Sequence, residues 1–465
     1  MKILLINPPI RENEPPRHIP IGLGIIANVL LDKGHEVKIL DINAERLSKP
    51  LVREKIDLKN KYDIIGAGGL ITTYKYLKWL IPELKKYNPT SKIIIGGGVI
   101  TENLTLLLNR TPADIAVIGE GEITMSEIAS AIENKKSLSA IKGIAYKDAD
   151  NRIKINPPGP LVKDLDSFPF PAYQLFPMDI YIKNVAHASV MGKKSEISII
   201  TTRGCPYNCN YCFHIFGRGA RSRSVDNVIK EIKYLIETYK VESFLILDET
   251  FTINKNRVFE FCDKLLLEKI NIPWSCYCRV NLVDLEMFQK MKQSGCYRVG
   301  YGIESGSQKI LDNMNKKVTV EQAKEAIKVT RKAGLSCNTT FMFGYPGESL
   351  DTINETVCFC REMLLRPSFF FTTPYPETEL YREFKEKIIK KYGDEENFIE
   401  VLGDASDFTI NLTDFSDEEL FKLRDQSTKK LRKISFKKYP EYIYILYKRY
   451  GLFTLLRHLF QKRYN

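Results

Sequence analysis

Three cysteines in one short stretch carry the strongest chemical signal in this chain. They lie at Cys205, Cys209 and Cys212, within the sequence TTRGCPYNCNYCFHIFG. Four thiolates close the coordination of a [4Fe–4S] cluster, whereas three leave one iron open to a substrate or cofactor. The spacing therefore favours an iron–sulfur centre that does chemistry at its open iron. Two alternatives stay open at this point: a zinc site completed by His214, since zinc usually takes four ligands, and structural thiols without a metal.

The cysteine motif has a recognisable context. The pattern CxxxCxxC, with Arg203-Gly204 before the first cysteine and Tyr211 before the third, resembles the signature of radical S-adenosylmethionine (SAM) enzymes. The resemblance implies that the three cysteines hold the cluster and that the amino and carboxylate groups of SAM chelate the open iron. It also implies that an electron from the cluster cleaves SAM to methionine and a 5′-deoxyadenosyl radical, which abstracts hydrogen from an unactivated carbon. The segment from Tyr211 to Phe213 would lie near the adenine.

Downstream of the cysteines, strand-like and helical segments alternate and predict a partial (β/α)₆ barrel, in which loops at the carboxyl ends of the strands hold the reactants. The family resemblance implies SAM contacts at four consecutive predicted strand ends: Asp248 and Glu249 to the amino group, Arg279 to the carboxylate, Glu304 to the ribose hydroxyls, and Gly344 to Gly347 beneath the adenine. Taken alone, Arg279 or Glu304 is also explained by a salt bridge inside the barrel. Their succession at consecutive strand ends favours the site. The seven other cysteines lack ligand spacing and are predicted to be core or surface thiols.

The N-terminal part predicts a second layered fold. Apolar runs at 2–7, 36–42, 63–68, 92–98 and 114–119 are typical of parallel strands buried on both faces, and helical patterns such as 22–34 and 73–87 lie between them. That order predicts a doubly wound α/β sheet with its ligand at the carboxyl ends of the strands. No GxGxxG follows the first strand, which argues against a dinucleotide.

The loops of this part are similar to those of the cobalamin-binding domain that precedes the radical SAM domain in one large subgroup. The matching stretches are NPP after the first strand, then PIGLG, DKGHEV, IIGGG and IGEGE. The resemblance implies a cobalamin site formed by Pro8, Pro9, Gly69, Thr72, Thr73, Gly97, Gly98, Gly119 and Glu120. The D-x-H-x-x-G motif is absent, which would leave the lower cobalt face without a histidine ligand. The alternative is that the domain has kept this fold but no longer binds cobalamin.

Four segments follow from these patterns. We expect a Rossmann-like cobalamin-binding domain at 1–140, a hairpin and proline-rich linker at 141–190, a radical SAM barrel at 191–375, and a helical basic C-terminal extension at 376–465. The net charge of +12 is concentrated at the end, since residues 431–465 hold nine Lys or Arg and one acid. This distribution argues against nucleic-acid binding. The last helix either packs its apolar face on the barrel or forms a surface for a lipid-like substrate or a membrane.

The chain shows no run of 18 apolar residues, and MKILLINPP leads directly into a predicted strand instead of a signal peptide. No cysteine precedes Cys205, so a secreted disulfide framework is not indicated. We therefore expect a cytoplasmic protein, with membrane association only through its tail.

The expected function is methylation of an unactivated carbon, in which methylcobalamin gives its methyl group to a substrate radical and a second SAM remethylates the cobalt. Expected partners are a small-molecule or lipid-like substrate and an external electron donor of the flavodoxin or ferredoxin type. A radical cyclase, oxidase or rearrangement enzyme that binds cobalamin without methyl transfer is the first alternative. A non-catalytic cobalamin or redox sensor, whose basic tail binds an acidic partner, is the second.

Overall fold

The computed structural model describes residues 1–10, 16, 18–57, 61–100, 106–184, 188–403 and 406–432. The described residues fold into two compact units. The first contains residues up to 184 together with 213–221 and 375–403, and the second contains 188–212, 222–374 and 406–432. The basic tail from residue 433 onward lies outside the described residues, so its helix and its membrane contact stay predictions.

The first unit alternates strands and helices along most of its length. Its elements are β1 (Lys2–Asn7), α1 (Ile21–Asp32), β2 (Glu36–Asp41), α2 (Ile42–Glu45), α3 (Lys49–Ile56), β3 (Ile64–Gly68), α4 (Tyr74–Tyr87), β4 (Lys92–Gly96), α5 (Leu106–Arg110), β5 (Ile115–Val117), α6 (Gly121–Glu133), β6 (Ile144–Lys147), β7 (Ile153–Ile155) and α7 (Met178–Lys183). Three further helices of this unit come from later in the chain: α14 (Glu379–Glu383), α15 (Lys385–Tyr392) and α16 (Glu395–Glu400).

The strands of the first unit form one sheet in the order β2-β1-β3-β4-β5-β6-β7. The first five are parallel, and β6 and β7 add an antiparallel ribbon at the edge. Residues such as Ile3, Ile64 and Ile94 are buried in the core of this sheet. The predicted doubly wound α/β fold is confirmed, and so is the predicted hairpin. Because β2 and β3 lie on opposite sides of β1, the strand order reverses there, which is where such sheets bind ligands.

The proline-rich stretch that follows the hairpin packs onto the first unit. The amide of Ala172 donates to the carbonyl of Gly24 in α1 at 2.9 Å, and the side chain of Asn28 donates to the carbonyl of Phe170 at 2.7 Å. A short way on, the Tyr181 hydroxyl donates to the carboxylate of Asp41 at 2.6 Å. The stretch therefore lies along α1 and at the carboxyl end of β2.

The second unit repeats a strand–helix pattern. Its elements are β8 (Ile197–Ile199), β9 (Thr202–Arg203), β10 (Arg221–Ser222), α8 (Val225–Tyr239), β11 (Phe244–Ile246), α9 (Lys255–Leu267), β12 (Trp274–Cys278), α10 (Leu285–Gln293), β13 (Cys296–Glu304), α11 (Gln308–Asn313), α12 (Val320–Lys332), β14 (Ser336–Phe343), α13 (Leu350–Glu362), β15 (Ser368–Phe371) and α17 (Asp417–Arg432). Arg221, the first residue of β10, is grouped with the first unit. Side-chain caps fix several helix starts: Thr319 and Gln322 form a capping box on α12, and Ser349 and Thr352 form one on α13.

Six of these strands form a parallel sheet in the order β15-β14-β13-β12-β11-β8. The order follows the chain, as expected for half of a (β/α) barrel, and the predicted partial (β/α)₆ barrel is confirmed. Trp274 on β12 is fully buried and stacks on Phe244 of β11, with ring centroids 6.1 Å apart. None of the described helices has both the length and the apolar content that crossing a bilayer requires.

Candidate active site

The cysteine loop begins at the carboxyl end of the first barrel strands. It runs from β9 to β10, which pair as a two-stranded sheet. Asp248, which follows β11, fixes the chain that enters the loop, since one carboxylate oxygen accepts the amides of Thr201 at 2.6 Å and Thr202 at 3.0 Å. Burial raises the pKa of Asp248, and these hydrogen bonds oppose the rise. Asp248 is therefore engaged with the backbone, whereas its neighbour Glu249 is exposed.

The three loop cysteines are free thiols in different surroundings: Cys209 is buried, Cys205 is half-buried and Cys212 is exposed. The surrounding protein, together with the nearby Cys209 and Glu249, raises the pKa of the Cys212 thiol to about 12. Three thiols on one short loop, at Cys205, Cys209 and Cys212, are the predicted ligands of a [4Fe–4S] cluster.

The zinc alternative requires about four ligands that converge on one point. Among the described residues, no three Cys, His, Asp or Glu side chains converge as a single metal ion requires. His214 belongs to the first unit, where both of its ring nitrogens are buried without a hydrogen-bond partner.

Arg279 lies beside the cysteine loop at the carboxyl end of β12. Its Nη1 atom is 3.8 Å from the sulfur of Cys209, and its guanidinium group stacks 3.6 Å from the centre of the Tyr207 ring. The Nε atom of Arg279 is buried and has no hydrogen-bond partner. The structure thus brings together the predicted carboxylate-binding arginine and a predicted cluster ligand, with one donor left for a further acceptor.

Glu304 ends β13 with an unusual backbone. Its φ angle is +70°, in the left-handed region that residues other than glycine rarely adopt. Burial raises the pKa of its carboxyl group, and the Lys316 ammonium, 3.7 Å from Oε1, opposes the rise. A half-buried carboxylate held at the carboxyl end of a barrel strand is suited to accept hydrogen bonds from a ligand's hydroxyl groups.

Lys316 is a residue that the sequence analysis missed. It lies in the turn after α11, in the sequence NMNKKV, and only 6% of it is exposed. Its ammonium group donates to the Tyr211 hydroxyl at 3.0 Å, and its carbonyl oxygen accepts Nη2 of Arg279. Lys316 therefore contacts three of the predicted SAM residues, counting Glu304. The only indication in the sequence was that Lys316 is one of several polar residues directly after a helix.

The glycine loop after β14 completes this group in the second unit. Gly344 and Gly347 have φ angles of +82° and +84°, which glycine adopts without strain. The buried Glu348 carboxylate accepts the amide of Gly344 at 2.7 Å. Tyr345 reaches the cysteine loop, because its hydroxyl donates to the Asn210 side chain at 2.6 Å. The loop predicted to lie beneath the adenine is thereby fixed against the loop that carries the cysteines.

Tyr211 and Phe213, predicted to lie together near the adenine, belong to different units. The Tyr211 ring meets the Tyr345 ring edge to face, with centroids 6.4 Å apart. The Phe213 ring belongs to the first unit and lies against Gly98, where an added β-carbon would be 3.5 Å from its Cε1 atom. The Phe213 ring therefore lies beside the predicted cobalamin loop of its own unit.

Two glycine loops meet at the carboxyl edge of the first sheet. A β-carbon on Gly68 would lie 2.3 Å from the carbonyl oxygen of Gly96, and one on Gly97 would lie 2.8 Å from that of Gly69. Gly97 also has a φ of +83°, which is why β4 ends at residue 96 and not at 98 as the sequence predicts. These contacts require glycine and leave a backbone surface that a large planar ligand can approach.

The two threonines that follow these glycines differ in their hydrogen bonds. The Thr73 hydroxyl donates to the carbonyl of Leu70 at 2.7 Å. The Thr72 hydroxyl is buried without a partner, a costly arrangement for a polar group that no ligand contacts. The orphaned hydroxyl and the glycine surface together fit a bound cobalamin.

The remaining predicted cobalamin residues lie at the same edge of the sheet. Pro8 is buried and Pro9 is half-buried directly after β1, and Gly119 is exposed after β5. Glu120 is engaged differently, since its carboxylate accepts Nη1 of Arg221 at 2.9 Å. Its side chain is 4% exposed, so Glu120 forms a buried ion pair with Arg221 of the same unit.

Comparison with known protein families agrees with both parts of this description. Residues 199–360 match the model of the radical SAM superfamily, and residues 10–129 match that of the B12 binding domain. An uncharacterized methyltransferase from Pyrococcus horikoshii is 33% identical over 391 residues, which cover 82% of this chain and 82% of that protein. The chain belongs to the family of radical SAM enzymes with a B12-binding domain. The predicted family is confirmed, and the [4Fe–4S] cluster, SAM and cobalamin are the cofactors that this family implies.

Two further proteins are similar over most of the chain. The anaerobic magnesium-protoporphyrin IX monomethyl ester cyclase of Rubrivivax gelatinosus is 28% identical over 406 residues, covering 83% of this chain and 71% of the cyclase. The radical SAM methyltransferase TsrM from Kitasatospora setae, solved with cobalamin and a [4Fe–4S] cluster, superposes with a TM-score of 0.69 at 19% identity. That superposition covers 83% of this chain and 75% of TsrM. TsrM therefore shares the fold, while these relatives include both methyltransferases and a cyclase.

Proposed function

We propose that this protein is a cobalamin-dependent radical SAM methyltransferase that methylates an unactivated carbon. The observation that carries the proposal is the contact set around the cysteine loop, in which Arg279 lies 3.8 Å from Cys209 and Lys316 bridges Tyr211 and Glu304. Methyl transfer is supported by the name of the Pyrococcus horikoshii relative, a methyltransferase at 33% identity.

Different residues of the second unit would bind the cluster and the two charged groups of SAM. Cys205, Cys209 and Cys212 would hold the cluster, and Arg279 and the exposed Glu249 would receive the carboxylate and amino groups of SAM. When bound, the cluster and SAM supply the radical that removes hydrogen from the substrate, and methylcobalamin supplies the methyl group. Asp248 acts one step away, because its hydrogen bonds to residues 201 and 202 hold the strand that delivers the first cysteine.

The nucleoside part of SAM would lie between a carboxylate and a glycine loop. Glu304 is placed to accept the ribose hydroxyls, and the Lys316 ammonium near it favours the ionised form of its carboxyl group. Gly344 and Gly347 would pass beneath the adenine; both have a left-handed backbone, and Glu348 holds the amide of Gly344. Tyr211 offers an aromatic face to the same region.

The loops of the first unit would hold cobalamin. Gly69, Gly97 and Gly98 supply the open backbone surface, and the unpartnered Thr72 hydroxyl supplies a hydrogen-bond donor. Pro8, Pro9, Thr73 and Gly119 shape the edge of the site. Glu120 acts indirectly, because its carboxylate is engaged by Arg221.

A radical cyclase that binds cobalamin without methyl transfer is the second candidate. It is favoured by one observation, the 28% identity to the Rubrivivax gelatinosus cyclase over 83% of this chain. For either reaction we propose a small-molecule or lipid-like substrate, an external flavodoxin- or ferredoxin-type electron donor and a cytoplasmic location. The tail from residue 433 is the proposed point of contact with lipid.

The test uses the reconstituted full chain with SAM, cobalamin and a reductant. We expect both 5′-deoxyadenosine and S-adenosylhomocysteine, since the first reports radical formation and the second reports methylation of cobalt. Formation of 5′-deoxyadenosine alone would remove the methyltransferase proposal and favour the cyclase. Cys209→Ala should lose cluster iron and both products. Cys358→Ala, at an exposed cysteine on α13, is the matched control and should retain them.

A further inference from the structure

The turn after α11 makes more contacts with the cysteine loop than its sequence suggests. The Asn210 side chain donates to the carbonyl of Asn313 at 2.8 Å, and the Asn210 amide donates to the carbonyl of Met314 at 3.2 Å. In return, the Asn315 side chain donates to the carbonyl of Asn208 at 2.7 Å. The segment 313–316 is thus fixed to the loop on both sides of Cys209, and its last residue is Lys316.

The backbone of the segment directs the Lys316 side chain inward. Asn315 and Lys317 on either side have φ angles of +50° and +55°, in the left-handed region. These angles turn Lys316 into the protein while Lys317 stays exposed. A non-glycine residue pays about 1 kcal/mol or more for a left-handed backbone, so the surrounding contacts must favour this conformation.

The buried ammonium group of Lys316 lies beside two polar side chains, those of Tyr211 and Glu304. It is 3.0 Å from the Tyr211 hydroxyl and 3.7 Å from Oε1 of Glu304. The Glu304 side chain is only 15% exposed, a carboxylate largely removed from water is costly without a cation, and Lys316 is the cation that the described structure places beside it. Because an ammonium group has three donors, it can orient the tyrosine and the carboxylate at the same time.

We propose that Lys316 is a positioning residue for SAM, which holds the Glu304 carboxylate ionised and correctly placed for the ribose hydroxyls and fixes the Tyr211 ring beside them. The inference rests on the proposed function, because it takes the site of the second unit to bind SAM. It goes beyond the residues that the family resemblance supplied, none of which lies in the segment 313–316. Lys316 acts through Glu304 and Tyr211, so it does not need to touch the reacting atoms.

The test compares three substitutions at this position with one at its neighbour. K316M removes the charge at similar volume, K316Q keeps a donor without a charge, and K316R keeps the charge. K317M makes the same chemical change one residue further on, at an exposed position. Each full-length variant is reconstituted, its iron and sulfide are measured, and SAM binding is measured by isothermal titration calorimetry.

We expect K316M to load its cluster and to bind SAM about 10- to 100-fold more weakly, the loss typical of removing a group that orients a ligand. K316Q should fall between K316M and wild type, K316R should recover most of the affinity, and K317M should match wild type. The electron paramagnetic resonance spectrum of the reduced cluster should change on adding SAM in wild type, and in K316M only at correspondingly higher SAM. At saturating SAM, the rate of 5′-deoxyadenosine formation in K316M should be reduced by a smaller factor than its affinity for SAM.

Several results would overturn the proposal. Wild-type affinity in cluster-loaded K316M would do so, as would equal losses in K316M and K317M. If K316M does not fold, K316Q and K316R decide, because equal SAM affinity in these two would show that the charge is not needed. A wild-type protein that loads its cluster and binds no SAM would instead refute the proposed function, which keeps the two failures distinct.

Discussion

The buried carboxyl group of Glu348 should make the stability of the second unit depend on pH. Only 7% of this residue is exposed, and burial raises its pKa from 4.5 to about 7 even though the amides of Gly344 and Tyr345 donate to it. The folded protein therefore holds the proton more tightly than the unfolded chain does. Stability from this group is fully present below about pH 4.5 and is lost as the pH rises through 7.

The size of the effect follows from the two pKa values. Each pKa unit is worth ~1.36 kcal/mol, so the rise to about 7 corresponds to about 3.4 kcal/mol in full. Between pH 5 and pH 8 the linkage relation gives a loss of about 2.5 kcal/mol in the free energy of unfolding. In Glu348→Gln the amide oxygen can still accept the Gly344 amide but does not titrate. The pH dependence of this variant should therefore be smaller by about that amount.

The assay is urea unfolding followed by tryptophan fluorescence at pH 5, 6, 7 and 8. The chain has two tryptophans, Trp79 and Trp274, so a Trp79→Phe background makes Trp274 the reporter of the barrel. Glu355→Gln, at an exposed position of α13, controls for the loss of one negative charge. Equal pH dependence in Glu348→Gln and in the background protein would refute the reasoning, because the carboxyl group would then titrate alike in the folded and unfolded chain.

Two further predictions concern the first unit. Glu396→Gln should weaken cobalamin binding about tenfold, or ~1.4 kcal/mol, because it removes the charge that pairs with Lys78 of α4 at 2.8 Å and with Arg110 at 2.9 Å, although the Gln amide can still accept the Tyr74 hydroxyl. Helix α4 begins directly after the predicted cobalamin loop, so these contacts help to hold that loop. Titration with hydroxocobalamin measures the affinity, and an unchanged affinity would contradict the prediction. Arg221→Met should lower the free energy of unfolding of the first unit by about 3 kcal/mol, because it leaves the Glu120 carboxylate buried without its cation. Urea unfolding measures this loss, and the double variant with Glu120→Gln should recover part of it.

The sequence predicted those parts of the molecule that arise from local patterns. Short apolar runs such as KIIIG, rich in isoleucine and bounded by polar residues and glycine, are typical of strands buried on both faces, so the order of strands and helices could be predicted. The positions of Arg279 and Glu304 at neighbouring strand ends could also be predicted, because a barrel gathers the carboxyl ends of its strands at one edge. For the pair Asp248-Glu249 the pattern was insufficient. Two adjacent acids after a strand can face opposite ways, and the structure buries Asp248 and exposes Glu249.

Features that depend on distant contacts could not be predicted. Nothing local indicates that residues 213–221 and 375–403 fold with the first unit. The contacts that place them join residues far apart in the chain, such as Arg221 with Glu120 and Glu396 with Tyr74. Lys316 is a similar case, because its burial follows from the left-handed backbone on either side of it. A lysine in a polar turn is otherwise expected to be solvated.

The contacts of the two candidate sites lead to a test that separates them. Lys316 and its partners all lie in the second unit, whereas Glu396 and Tyr74 lie in the first. If each site is held by the contacts of its own unit, Lys316→Met should weaken SAM binding and leave cobalamin binding unchanged. Glu396→Gln should do the reverse. Both affinities can be measured on the same preparations, and parallel losses of both ligands in either variant would show that the substitution acts through the fold as a whole and not through the site.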